Sequence, residues 1–175
     1  MSNKIEQVVI ECIRGDIVAQ EDIDIVVNAA NAELRTGGGV AGAVHRGAGP
    51  KLEMESQKHA PIAPGEAVIT KAYNLPNKYV IHCLGPVYGL DSPEDKLLGD
   101  CYRKALMIAE EKELYSIAFP AISTGAFGYP IEEAAEVVFT TIKELIPNLK
   151  SVKIIRFVLH SKRDLDIYKI ALNQL

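Results

Sequence analysis

Three features of this chain predict an α/β protein folded as a three-layer α/β/α sandwich. They are apolar runs short enough for strands, amphipathic stripes long enough for helices, and the regular alternation of the two without repeats or low-complexity linkers. The strand candidates are residues 8–13, 24–28, 66–72, 79–84, 116–120 and 153–159, several of them apolar along nearly their whole length, as a sheet covered on both faces requires. The second, Ile25-Val26-Val27, empties into Asn28-Ala29-Ala30-Asn31 and then Gly37-Gly38-Gly39, from which Val40-Ala41-Gly42-Ala43-Val44 starts a helix. Pro61, Pro64 and Gly65 mark the turn into the third strand. Three later stripes keep the three- and four-residue spacing of helices with one apolar face: Leu97, Leu98, Cys101, Ala105, Ile108 and Ala109; Ile131, Ala134, Ala135, Val138, Ile142, Leu145 and Ile146; Leu165, Tyr168, Leu172 and Leu175. Lys96, Glu110, Glu111, Lys112 and Glu113 read as a solvated helix face.

The 175 residues fit one domain, taken as 1–175, and the 48% hydrophobic and 24% charged fractions are those of a soluble globular protein. No apolar run approaches the roughly 18–20 residues of a membrane span and no signal-peptide core follows Met1, so the expectation is a cytoplasmic protein without a membrane partner. Cys12, Cys83 and Cys101 are odd in number and lack C-x-x-C spacing, which argues against a disulfide framework and a zinc site and makes them small core residues. A net charge of −4 and short basic clusters disfavour a nucleic acid partner. A small phosphorylated ligand needs only local donors and stays open.

The glycine segment after Asn31 is built to hold an anion, because the first N–H groups of the helix it feeds have no internal acceptor. Ser123-Thr124-Gly125-Ala126-Phe127-Gly128 repeats the arrangement after the run Ile117-Ala118-Phe119-Pro120-Ala121, and two such loops on one domain suggest a ligand with more than one phosphate. Gly37, Gly39 and Gly42 satisfy G-x-G-x-x-G, but residues 28–36 separate them from the strand and no acid closes a second strand about 20 residues on. No Gly-Lys-Ser/Thr follows either loop, and Ala121 stands where a nucleophile elbow needs glycine before Ser123. His82, inside an apolar strand, reads as a hydrogen-bonded core histidine, and no metal-binding spacing surrounds it.

Taken together, Gly15-Asp16-Ile17, Val27-Asn28-Ala29-Ala30-Asn31, Gly37-Gly38-Gly39-Val40, the run from Tyr79 through His82 to Pro86, and Ser123-Thr124-Gly125-Ala126-Phe127-Gly128 resemble the macro domain family, in order and across essentially the whole chain. The resemblance implies a mixed central sheet between helices and a ligand that is ADP-ribose, free or attached to protein, with no cofactor. By the same resemblance Asp16 accepts from the adenine amino group, the Ile17 N–H serves a ring nitrogen, and Asn31 bonds the distal ribose. The bland reading of Asp16 is a turn cap before Val18, and of both asparagines a satisfied loop backbone; Asn31 is assigned to the ligand, and Asn28 stays divided between a ligand contact and that backbone role. Gly37, Gly38, Gly39 and Val40 would grip the pyrophosphate against Ser123, Thr124, Gly125, Ala126 and Phe127, with the Phe127 ring against the distal ribose. His160 stands where the family often stacks Phe or Tyr on the base. The MacroD-type branch, which removes ADP-ribose from carboxylates, carries an aspartate where this chain has Ala41, although His45 matches the branch's histidine. The candidate catalytic pair is therefore Asn31 and His45. The expectation is a binding module with weak or substrate-restricted hydrolysis, the alternative an efficient ADP-ribosyl hydrolase or a phosphatase acting on ADP-ribose phosphorylated on its distal ribose.

Overall fold

The computed structural model describes residues Met1–Leu175. The strands are β1 (Ser2–Ile5), β2 (Val8–Arg14), β3 (Ile25–Ala29), β4 (Ala67–Lys71), β5 (Tyr79–Cys83), β6 (Ser116–Phe119) and β7 (Ile154–Leu159). The helices are α1 (Gly39–Ala48), α2 (Pro50–Ser56), α3 (Glu94–Glu111), α4 (Ile131–Leu145) and α5 (Lys162–Asn173), with single 3₁₀ turns at Gln57–His59 and Ile146–Asn148. One seven-stranded sheet runs in the order β1-β2-β7-β6-β3-β5-β4. Its five central strands are parallel, while β1 and β4 close the two edges antiparallel, so the sheet is mixed.

Strand periodicity assigns the side chains to two layers. Val26, Val80, Ala118 and Val158 face α1 and α2, where they pack with Val44, Ala48 and Leu52. Their neighbours Ile25, Val27, Ile81, Ile117, Phe119, Ile155 and Phe157 face the opposite way and join the buried stripes of α3, α4 and α5. Because both faces are covered, the central strands read as unbroken apolar runs. The larger layer is centred on aromatic rings: Phe157 lies 5.8 Å from Phe119, 5.1 Å from Phe139 and 5.6 Å from Tyr168, centroid to centroid. All three cysteines are buried and free.

Two elements lie outside the sequence reading. β1 is a four-residue edge strand with alternating exposure, and a single apolar residue, Ile5, gives no run to recognise. α2 has only seven residues, too few for a stripe, although Pro50 at its first turn and Glu53 just after are helix-start signals. Glu110 is also more than a solvated side chain. Its carboxylate accepts from the backbone N–H groups of Lys150, Ser151 and Val152 at 2.6–3.1 Å and ties α3 to the entrance of β7, and the Val152 and Ser151 bonds hold its pKa below the usual carboxylate range against the opposing effect of burial.

The aromatic layer yields the first prediction. Phe157→Ala should cost about 3–5 kcal/mol of unfolding free energy by urea denaturation, because four rings, those of Phe119, Phe139, Tyr168 and Tyr102, lose a partner and a cavity is left among them.

Candidate functional site

Parallel alignment of β2, β7, β6 and β3 sends the segments that leave their carboxyl ends to one rim of the sheet. Four stretches meet there: the Gly15-Asp16-Ile17 turn after β2, the glycine loop after β3, residues 120–128 after β6, and His160 after β7.

The glycine loop is fixed from behind. Asn31 Oδ1 accepts from Arg35 N at 3.0 Å while its Nδ2 donates to the Arg35 carbonyl at 2.8 Å, closing a small ring that shapes the loop. Each carboxamide atom retains one further bonding position, so the backbone role leaves Asn31 able to serve a ligand. Thr36 N donates to Glu53 of α2 and Ser56 Oγ to the Leu34 carbonyl, which pins the loop to the next helix. The chain then enters α1 through Gly38, with no side-chain cap and no acid in the first turn. The leading N–H groups at Gly39, Val40 and Ala41 thus project without internal acceptors or a competing carboxylate. A Cβ on Gly38 or Gly39 would meet nothing within 4 Å, so this backbone borders open space. Gly42 differs. A Cβ there would run into the Gly37 carbonyl oxygen and reach 2.8 Å from Arg46 Nη1, so only glycine lets the loop fold back over the helix.

The second loop is also held by its own backbone. Tyr129 N donates to the Ser123 carbonyl, Gly128 N to that of Gly125, and Tyr88 N to that of Phe127. Thr124 turns inward, its hydroxyl donating to the Ala121 carbonyl at 2.8 Å. The N–H groups of Ser123, Gly125, Ala126 and Phe127 donate to no protein acceptor, and Gly125 and Gly128 border open space. Ser123 sits at φ +67°, a strained conformation for a non-glycine residue and one that concentrates at ligand clamps. Its hydroxyl is buried without a protein partner, and a Cβ on Gly85 would collide with it. Phe127 is half-buried, packed on the small cluster of Ala30, Leu34, Ile62 and Leu84, and therefore links the two loops.

Beneath the rim lies a polar layer. Asn28 is fully buried and its Nδ2 donates to His82 Nδ1 at 3.1 Å, across registered positions of β3 and β5. His82 Nε2 meets Thr70 Oγ1 at 2.9 Å, and that hydroxyl donates to the Lys71 carbonyl. The directions fix the tautomer: His82 accepts at Nδ1 and donates from Nε2. Burial, with smaller contributions from His45 and His59, pushes the His82 pKa down to about 3, so the ring is neutral. His45 lies on the inner face of α1, its ring 6.3 Å from that of His82, with both nitrogens buried and unpartnered. Burial lowers its pKa, against a smaller opposing effect from Glu53. Ala41, one turn earlier on the same face, is buried too.

At the far end of the rim Asp16 is exposed while Ile17 packs into the smaller core layer. Asp16 Oδ1 accepts from Val18 N at 3.1 Å, the capping role read from the sequence, and its second carboxylate oxygen remains free. The Ile17 N–H has no protein acceptor. His160 is exposed beside this turn, because Gly15 N donates to the Leu159 carbonyl at 3.1 Å. The rim thus carries Asp16, Ile17, Asn31, Gly37, Gly38, Gly39, Val40, Ser123, Gly125, Ala126, Phe127 and His160, whereas Asn28 and His45 lie below it and the Thr124 hydroxyl faces away. The sequence reading gives no packing role to Gly42, Gly85 or Thr70, although Gly42 is the third glycine of the G-x-G-x-x-G spacing and Gly85 belongs to the run from Tyr79 to Pro86.

The arrangement defines an α/β sandwich whose rim carries backbone N–H groups without protein acceptors, and comparison with known proteins places it among its relatives. The profile of the macro domain matches residues 27–138. An O-acetyl-ADP-ribose deacetylase of Klebsiella pneumoniae is 44% identical over 164 residues, covering 91% of this chain and 93% of that protein. A solved Oceanobacillus iheyensis macrodomain with ADP superposes at a TM-score of 0.94 with 38% identity, covering 99% of this chain and 95% of the other. A Trypanosoma brucei macrodomain in complex with ADP-ribose gives 0.84 with 35% identity, covering 93% and 68%. This chain belongs to the macro domain family.

Two outcomes follow from the geometry. Gly42→Ala must displace the Gly37 carbonyl, so the melting temperature should fall by several degrees, as about 1–3 kcal/mol of overpacking would produce. His82 folds neutral with a depressed pKa, so the unfolded chain binds a proton that the folded chain refuses between about pH 6.5 and pH 3. Its contribution is complete above pH 6.5 and lost as pH falls, and between pH 7.5 and 5 the wild type should lose about 2 kcal/mol more than His82→Gln in urea titrations at each pH.

Proposed function

We propose that the protein binds ADP-ribose and its derivatives, mono-ADP-ribosylated protein and O-acetyl-ADP-ribose among them, with weak or substrate-restricted hydrolysis at the distal ribose. The observation that carries this reading is the pair of backbone cradles opening on one rim, with a free carboxylate oxygen on the same rim beyond β7. Two neighbouring sets of N–H donors suit a diphosphate, whose charge spreads over several oxygens. Asp16, Ile17 and His160 at the β2–β7 end suit the adenine, as acceptor, ring-nitrogen donor and wall. Asn31 beside Gly37 suits the distal ribose, because a Cβ on Gly37 would approach its Nδ2 to 3.2 Å and glycine leaves that side clear.

Binding without strong catalysis is the reading favoured by position 41. Alanine there neither accepts a proton nor orients water, and no other carboxylate belongs to the first turn of α1. Any hydrolysis then rests on the ligand's own phosphates polarising a water above Asn31. The enzyme reading draws its support from the named activity of the Klebsiella pneumoniae relative and from His45, whose lowered pKa leaves a neutral imidazole one turn below the loop.

Calorimetry with ADP-ribose tests the shared claim: saturable heat is expected, and its absence at millimolar ligand would sink the proposal. Asp16→Ala and Asp16→Asn should each weaken binding by about ten- to a hundredfold, the value of a hydrogen bond to a charged acceptor. The asparagine variant keeps an oxygen for Val18 and so separates adenine recognition from loss of the cap. Time-resolved product analysis on a glutamate-linked ADP-ribosylated protein, and on ADP-ribose phosphorylated at the distal ribose, distinguishes reader from enzyme. A reader releases product far more slowly than it exchanges ligand.

A further inference from the structure

Arg156 lies on β7, on the same face as Val158 and, at the next alternate position, His160. Its side chain is only 12% exposed and every group of its guanidinium is engaged. Nε donates to Glu11 at 2.8 Å, and Nη1 and Nη2 form a fork onto the two carboxylate oxygens of Asp22, both at 2.7 Å. Nη1 has a second acceptor, Gln20 Oε1, at 2.9 Å. Nothing in the adenine reading called for this cluster, yet it leads directly to the base-reading turn.

Gln20 is 5% exposed and its amide has one permitted orientation. A guanidinium only donates, so the Gln20 carbonyl oxygen must face Arg156 and the amide nitrogen must face away. That nitrogen donates to the Asp16 backbone carbonyl at 2.8 Å. The Gln20 main chain is held as well, its carbonyl accepting from Asn77 Nδ2 at 2.8 Å and from Ile23 N at 3.2 Å. Residues 16–23 therefore fold back over the sheet as a strap, with Arg156 at one end and Asp16 at the other.

We propose that Arg156 and Gln20 are positioning residues for nucleobase selection, holding the Asp16-Ile17 turn in the geometry that accepts a 6-amino purine and rejects a 6-oxo purine. The inference rests on the assignment of Asp16 and Ile17 to adenine. The selectivity is a matter of pairing. A 6-amino purine offers a donor to the Asp16 carboxylate and an acceptor at the ring nitrogen to the Ile17 N–H. A 6-oxo purine presents an acceptor and a protonated ring nitrogen at those places and leaves both protein groups opposed by like partners. The discrimination needs Asp16 Oδ and Ile17 N held at a fixed separation, and the Asp16 carbonyl is the atom through which the strap sets it. Neither Arg156 nor Gln20 touches the base.

The ratio of two nucleotide affinities, read in Gln20→Glu and Gln20→Met, separates this role from simple stability. Glutamate keeps the shape and the acceptor for Arg156 but has no N–H for the Asp16 carbonyl, and Gln20→Met removes both bonds at similar volume. The experiment is calorimetry of wild type and both variants with ADP and with inosine diphosphate, alongside melting temperatures. The wild type should prefer ADP. Both variants should lose about tenfold in ADP affinity with inosine diphosphate affinity within twofold of wild type, so that the ratio collapses. The melting temperature should fall in Gln20→Glu as well, since a carboxylate oxygen then opposes the Asp16 carbonyl, and the nucleotide ratio is the readout that lost stability alone would not move. An unchanged ratio, or an equal loss for both nucleotides, overturns the positioning role while leaving the ADP-ribose reading intact. A wild type that binds both nucleotides equally overturns the adenine assignment itself, and the strap proposal with it.

Discussion

Backbone N–H groups that the fold leaves without acceptors are the constraint on which the rest of the site depends. An amide with no protein acceptor must be met by water or a ligand, and native chains leave few such groups buried. Here a set of them lies at the start of α1 and another at Ser123, Gly125, Ala126 and Phe127, at the carboxyl ends of adjacent parallel strands. Their placement follows from the sheet. β3 and β6 are paired in parallel register from Ile25 opposite Ile117, so the loops that leave them emerge side by side.

Keeping those amides exposed requires the surroundings to be rigid, and several side chains serve that end. Asn31 closes the glycine loop on Arg35, Glu53 and Ser56 anchor it to α2, and Gly42 permits its close return over the helix. In the second loop Thr124 and the Ser123 carbonyl fix the turn while Ser123 carries positive-φ strain. Phe127 joins the loops through the cluster around Leu34 and Leu84. The Asn28–His82–Thr70 chain replaces an apolar floor with a directional one that ends on the Lys71 carbonyl and leaves Asn28 Oδ1 buried without a protein partner. Such a chain tolerates no added proton, which is why burial and neutrality of His82 go together.

The same logic extends to the other end of the rim. Arg156 gathers two carboxylates and a glutamine in a partly buried setting, where Asp22 and Glu11 hold its charge firmly and the bond from Arg156 holds Asp22 below its usual carboxylate pKa. Asp22 itself is two-thirds exposed, so its pairing with Arg156 adds little stability. The geometric consequence, an orientation for Gln20 and through it for Asp16, is the larger effect.

Sequence alone determined the layer architecture, because strand and helix periods are local: six of the seven strands and four of the five helices follow from apolar spacing, with ends shifted by a residue. It also located the two loops of amides without protein acceptors, since glycines after an apolar run specify such groups wherever the chain goes. The mixed character of the sheet entered through the family resemblance of quoted motifs. Tertiary structure decided what spacing cannot encode. It buried Asn28 on His82 while leaving Asn31 at the rim, although the two belong to one four-residue motif, because Asn28 lies within β3 inside the sheet and Asn31 lies beyond its end. It brought Gln20 to Arg156, 136 residues apart, since strand order β2-β7 is a property of pairing. It made glycine obligatory at position 42, where the obstacle is a carbonyl five residues earlier in the chain and close only once α1 has formed.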